Sequence, residues 1–139
     1  MTDLPDWATG LRSPLENRLG VEVLQLTAEQ TVGRMPVEGN TQPVGLLHGG
    51  ASCALAEGLG SMAAYAYGRD RQLVPIGVDI NATHHKAVRS GWVTGTARPL
   101  FLGSRTVSYD IVIVDDSGDR VCTARLTCQL QQVSHLPEG

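Results

Sequence analysis

A chain of 139 residues, 42% hydrophobic and 18% charged, is one domain with enough apolar material for a core and too little charge for disorder. A formal charge of -3 argues against a generic basic nucleic-acid binder, and 4% aromatics against a platform for stacked bases. Three cysteines, Cys53, Cys122 and Cys128, with no C-x-x-C pair, suit neither a disulfide framework nor a cysteine zinc site and read as reduced, mostly buried thiols.

The first residues, Met1 to Trp7, carry two aspartates and no basic or apolar run, which is unlike a secretory signal. The longest apolar run, Met62 to Tyr67, is far short of the roughly 18 residues of a membrane span. The expectation is a soluble cytoplasmic protein without membrane or nucleic-acid partners. Ser13-Pro14-Leu15-Glu16 combines a capping residue, a first-turn proline and a glutamate three residues on, which predicts a capping box and a short helix over 13–19, stopped by Gly20. Strands are predicted over 21–26 and 30–37, where β-branched residues recur, the second ending at Glu38-Gly39-Asn40.

Residues 49–68 are rich in Ala and Leu, with Leu55, Leu59, Met62 and Ala66 at helical spacing. Some 18 residues of helix span about 27 Å. Gly58 and Gly60 inside it imply a close neighbour rather than a break, because the apolar stripe continues past both. Val, Ile and Thr then dominate 74–83, 92–100, 106–114 and 121–131, and Asp115-Asp116-Ser117-Gly118 is a hairpin turn. Residues 133–139 read as a frayed tail. Consecutive strands joined by short turns form an antiparallel sheet with one long helix on it, an α+β fold with a core over about 20–131.

Three features carry chemistry. Glu57 is the only acidic residue between Glu38 and Asp70, and a carboxylate alone among small apolar residues is costly to desolvate. Cys53 and Ser61 share its helix face. At the helix entrance, Gln42-Pro-Val-Gly-Leu-Leu-His48-Gly49-Gly50 presents unpaired amides that could polarise a carbonyl oxygen; a tight turn needing glycine explains the same residues. From Ile80 to Tyr109 there is no acidic residue, while His84, His85, Lys86 (the only lysine), Arg89, Arg98 and Arg105 gather there, which suggests a phosphate-bearing ligand. Gly103-Ser104-Arg105 could offer amides and a guanidinium together. Adjacent His84 and His85 point to opposite faces of a strand and cannot share a metal ion. No metal or cofactor is implied.

The segment from Gln42 through His48-Gly49-Gly50 and Glu57 to Ser61 resembles the helix motif of the hotdog-fold acyl-CoA thioesterases of the PaaI-like group. Gly77-Val-Asp-Ile-Asn81-Ala and Pro99-Leu-Phe101-Leu-Gly103-Ser104-Arg105 resemble the subgroup acting on 1,4-dihydroxy-2-naphthoyl-CoA in menaquinone synthesis and its proofreading relative in siderophore synthesis. The resemblance spans about 20–130 and leaves the N-terminal helix unexplained. It implies a hotdog fold, a dimer joined sheet to sheet and paired into a tetramer, and an active site at the dimer interface. There Glu57 of one subunit, as nucleophile or general base, faces Gln42, His48 and Gly49 of the other, with Ser61 holding water or the Glu57 carboxylate. Gly77, His84, His85, Lys86, Phe101, Gly103, Ser104 and Arg105 would contact substrate or CoA. The substrate it implies is an aryl acyl-CoA, the naphthoyl thioester or a hydroxybenzoyl type. Departures from the pattern are Lys86 for Arg, His85 for an apolar residue, Thr83 for Asn and Gly58 for Ser, the last expected to widen the acyl pocket. A non-catalytic acyl-CoA-binding module and a hotdog dehydratase are the rival readings.

Overall fold

The computed structural model of the chain describes residues 4–11 and 13–135. After a 3-10 turn at Asp6–Gly10 come α1 (Pro14–Leu19), β1 (Glu22–Leu26), β2 (Thr31–Pro36), α2 (Gly49–Gly68), β3 (Leu73–His84), β4 (Trp92–Leu102), β5 (Thr106–Asp115) and β6 (Arg120–Gln132). The strands form one antiparallel sheet in the order β1-β2-β4-β5-β6-β3. The chain thus leaves β2 near one edge, crosses the sheet as α2, and enters β3 at the other edge. The end of the tail, 136–139, lies outside the described residues.

Strand alternation makes the core. Val107, Tyr109, Ile111 and Ile113 of β5 and Ala124, Leu126 and Cys128 of β6 turn inward against Leu55, Leu59 and Ala63 of α2. Glycines let the helix sit close. A Cβ on Gly60 would lie 2.7 Å from Leu126 Cδ2, and one on Gly95 or Gly33 equally close to a Leu59 methyl. The helix runs unbroken through Gly58 and Gly60, as close packing requires. Tyr109 is fully buried, and its hydroxyl donates to the Ala28 carbonyl at 2.7 Å, tying the β1–β2 turn to the sheet. Burial pushes its phenol well above the ordinary range, with the Glu29 charge adding to the effect.

Two details differ from the sequence expectation. β4 runs two residues past Leu100, to Leu102; it holds Pro99 beyond Ala97, the last residue that β2 pairs, so the missing proline N–H costs no ladder bond to β2. The capping box is half formed. Ser13 Oγ accepts from the Glu16 N–H at 3.4 Å, but the Glu16 carboxyl turns away from the cap and lies on Gly58. Gly20 closes α1 in the left-handed conformation, φ 77°.

Candidate active site

His48 caps α2. Its Nδ1 accepts from the Gly50 N–H at 2.8 Å, so the neutral ring carries its proton on Nε2 and keeps that donor free. With Gly50 used by the cap, the Gly49 N–H has no hydrogen-bond partner among the described residues. Buried Asn40 fixes this entrance. Its Nδ2 donates to the Leu19 and Pro36 carbonyls, and its own carbonyl accepts from the His48 N–H at 2.9 Å. Asn40 was not singled out from the sequence, where one asparagine in a glycine loop reads only as a turn. Gln42 Oε1 accepts from the Val44 N–H at 2.5 Å, holding its side chain over the loop.

Around this entrance Gln42, Gly49, His84, His85 and Lys86 line one cleft of about 350 Å³. His84 lies directly on Gly49, where a Cβ would be 2.8 Å from its Nε2. It therefore sits at the open amide. His85 Nε2 bonds Thr123 Oγ1 at 2.9 Å. Lys86 is not free for an anion, since Nζ donates to Asp115 Oδ2 at 2.5 Å and Asp119 Oδ2 at 2.7 Å. A stretch of chain without acids is thus met in space by two acids from the β5–β6 turn.

Glu57 occupies a second cleft, of about 380 Å³, lined by Cys53, Ala54, Gly58, Ser61 and Glu16. Its carboxylate lies on Gly77 of β3, with Oε2 3.3 Å from where a Cβ would be, so Gly77 supports the carboxylate from beneath. A register shift in the β3–β6 pairing falls at that point, between Gly77 and Asp79. Ser61 lines the same cleft, but no Ser61–Glu57 hydrogen bond exists among the described residues. Burial pushes the Cys128 thiol up to about 11, the nearby Ser61 hydroxyl opposing and the Glu57 charge reinforcing the shift. Cys122 is likewise pushed to about 11 by burial, with the Cys53 charge adding to it.

Gly49 and Glu57 are eight residues apart on one helix, about 12 Å along its axis. One chain therefore does not bring the open amide and the carboxylate onto one carbonyl group. Phe101, Gly103, Ser104 and Arg105 form a third group. Phe101 is exposed and folds over Gly103, whose carbonyl accepts from Tyr67 Oη at 3.1 Å near the far end of α2. That is nearly the length of the helix, about 27 Å, from the His84–Lys86 group. Arg105 is exposed and has no ion-pair partner among the described residues.

Residues 44–122, more than half the chain and including the α2 entrance, Glu57 and Gly77, match the thioesterase superfamily. The chain belongs to that superfamily. It is 50% identical over 114 residues to the proofreading thioesterase EntH of Cronobacter turicensis, covering 81% of this chain and 82% of the relative. Among solved structures, a Haemophilus influenzae thioesterase superposes with a TM-score of 0.88 at 32% identity, covering 99% of this chain and 96% of that one. A mutant thioesterase from Pseudomonas aeruginosa superposes with a TM-score of 0.83 at 39% identity, covering 92% and 95%. The hotdog α+β architecture is therefore established, and the protein is a thioester hydrolase. No helix among the described residues is long and apolar enough to cross a membrane.

Proposed function

We propose that the chain hydrolyses an aryl acyl-CoA at a site completed by a second copy of itself. Glu57 of one copy would act on the thioester carbon, as nucleophile or as base for water, while the Gly49 N–H of the other receives the carbonyl oxygen. Water's oxygen ends on the acyl carbon, the C–S bond breaks, and the sulfur of CoA leaves as the thiol with the proton. Gln42 and the His48 Nε2–H would hold the acyl carbonyl in place. The observation that carries this reading is the Gly49 amide, without a partner among the described residues and about two turns of helix from Glu57. A Staphylococcus aureus thioesterase solved as separate Gln-to-Ala and Glu-to-Ala mutants has that pair at the spacing of Gln42 and Glu57 here, which supports assigning both to the chemistry.

Strand β3 favours the two-copy site. It forms one edge of the sheet, is 12 residues long, and leaves Ile76 and Val78 exposed. It also carries both Gly77, under Glu57, and His84, over Gly49. A two-fold antiparallel pairing of β3 with its copy, centred between Ile80 and Asn81, sets Gly77 of each copy opposite the partner subunit's His84. A dimer of this kind, doubled into a tetramer, would also unite His84 and Arg105 groups from different chains around CoA. A hydroxybenzoyl or 1,4-dihydroxy-2-naphthoyl group suits the apolar continuation of the Glu57 cleft.

Glu57→Gln should lower kcat by about 10²–10⁴-fold with little change in KM. Turnover within threefold of wild type removes Glu57 from the chemistry. Inactive Gln42→Ala and Glu57→Ala proteins, unfolded, mixed and refolded together, should regain about a quarter of wild-type activity, because half the random dimers are hybrids with one intact site of two. Verified hybrids without activity would place both halves on one chain.

A further inference from the structure

Glu16 has no part in the mechanism above, yet it stands in the site. The Glu57 cleft and an adjoining cleft of about 380 Å³ share Ser13, Glu16, Gly58 and Ser61 as a common wall. The adjoining cleft is largely apolar, lined by Leu11, Met62, Tyr65, Val74 and Pro75. An acyl group whose thioester lies beside Glu57 reaches this space across that wall, alongside Glu16. The absence of a side chain at Gly58 admits the carboxyl, which fills the room a Cβ would take. The pocket is therefore polar at a point where the small residue alone suggested widening.

No other group on the chain claims the carboxyl among the described residues: it forgoes the return bond to its own helix cap and has no hydrogen-bond or ion-pair partner there. Burial raises its pKa above the ordinary glutamate value. The 3-10 turn before α1 packs on α2, with Trp7 against Tyr65 at 5.6 Å between ring centroids and the Arg69 guanidinium, just past the helix, 4.6 Å from the Trp7 ring.

We propose that Glu16 is a specificity-determining residue of the acyl pocket, its carboxyl accepting a hydrogen bond from acyl groups that carry a donor and turning away acyl groups that carry a carboxylate. The assignment rests on the Glu57 reading, since it places the acyl chain by where the thioester sits. A hydroxyl and an amine offer the same donor chemistry, and Glu16 accepts from either. A substrate that leaves this half-buried acceptor unpaired forfeits the bond and keeps the desolvation cost, and discrimination of this kind exceeds that of an added methylene.

The test compares kcat/KM for benzoyl-, 4-hydroxybenzoyl-, 4-aminobenzoyl- and 4-carboxybenzoyl-CoA in wild type, Glu16→Gln and Glu16→Leu. Wild type should favour the hydroxyl and amino thioesters over benzoyl-CoA by about tenfold or more, and disfavour the carboxylate by a similar factor. Glu16→Leu should bring the hydroxyl-to-benzoyl ratio within about threefold. Glu16→Gln, which keeps an acceptor and loses the charge, should retain part of the hydroxyl preference and raise the carboxyl-to-benzoyl ratio about tenfold. An equal loss on every thioester would make Glu16 a structural residue, and ratios unmoved by either substitution would remove it from the pocket. If Glu16→Leu does not fold, the carboxyl-to-benzoyl ratio of Glu16→Gln decides alone. An active wild type matched within threefold by Glu57→Gln overturns the Glu57 reading itself. Active wild type with unmoved ratios overturns only the role of Glu16.

Discussion

Three side chains meet at Lys86, with both carboxylates drawn onto one ammonium. The Asp115 bond raises the Lys86 pKa, the Asp119 bond adding to it, and the Lys86 bond holds Asp115 below the usual carboxylate range. The cluster carries one positive and two negative charges, so it does not attract phosphate by itself. Arg105 is exposed and without an ion-pair partner among the described residues, so its charge is not offset in the same way. Arg105→Ala should therefore raise KM for an acyl-CoA about ten- to a hundredfold with kcat little moved, and should handle an acyl-pantetheine thioester as wild type does. Lys86→Ala should raise KM as well, by unmasking two acids beside the CoA path, and adding Asp119→Asn to it should recover part of the loss. A double substitution no better than Lys86→Ala would make Lys86 a direct phosphate ligand. The acid-free stretch from Ile80 to Tyr109 was legible in the sequence. Its neutralisation was not, because the partners come from a turn that only the β5–β6 hairpin brings alongside.

Helix α2 and the strands after it lie within two residues of the predicted bounds; β4, β5 and β6 each have one buried face and an alternation that only a period of two satisfies. The sheet order and the destination of α1 were not legible. A six-residue amphipathic turn says where it starts and stops and nothing of what it lies on. The two helix glycines also look alike in sequence and differ in what they meet. At Gly60 a Cβ collides with Leu126, which is 1% exposed and packed beside Ile111. Gly60→Ala should destabilise the fold by about 1–3 kcal/mol, because neither neighbour has room to move. At Gly58 the only obstacle is the far end of Glu16, which can swing outward. Gly58→Ala should be neutral or stabilising by up to about 1 kcal/mol through helix propensity. Denaturant unfolding of the two variants checks the contrast, and equal losses would mean that α1 is fixed as firmly as the core.

At the scale of the whole molecule, the two edges of the sheet are unequal. The β1 edge is five residues long, and Glu22 on it pairs with Arg34. The β3 edge is 12 residues long, and Ile76 and Val78 lie open along it with Asp79 as the only charged residue in the strand. An edge of that length with apolar side chains and an unpaired row of amides and carbonyls invites a second strand, and isolated chains normally protect such edges with charge, proline or bulges. Here Pro75 and Asp79 stand in the first part of the strand and the register shift lies between Gly77 and Asp79, against β6, while Ile80 to His84 carry neither acid nor proline. A lysine at Val78 places one charge on each strand of a β3–β3 pair, and two-fold symmetry brings both to the same interface. Val78→Lys should therefore yield a monomer by light scattering at micromolar concentration. Because Val78 is already 57% exposed in the single chain, the far-UV circular dichroism should remain that of the folded sheet. Thioester hydrolysis should fall at least a hundredfold with the loss of dimer, since each chain keeps Glu57 and the Gly49 amide but no carbonyl group can reach both. Raising the protein concentration should restore assembly and activity in parallel. A folded monomer that hydrolyses acyl-CoA at the wild-type rate would locate the whole site within one chain, and a dimer undisturbed by the lysine would place the contact on another surface.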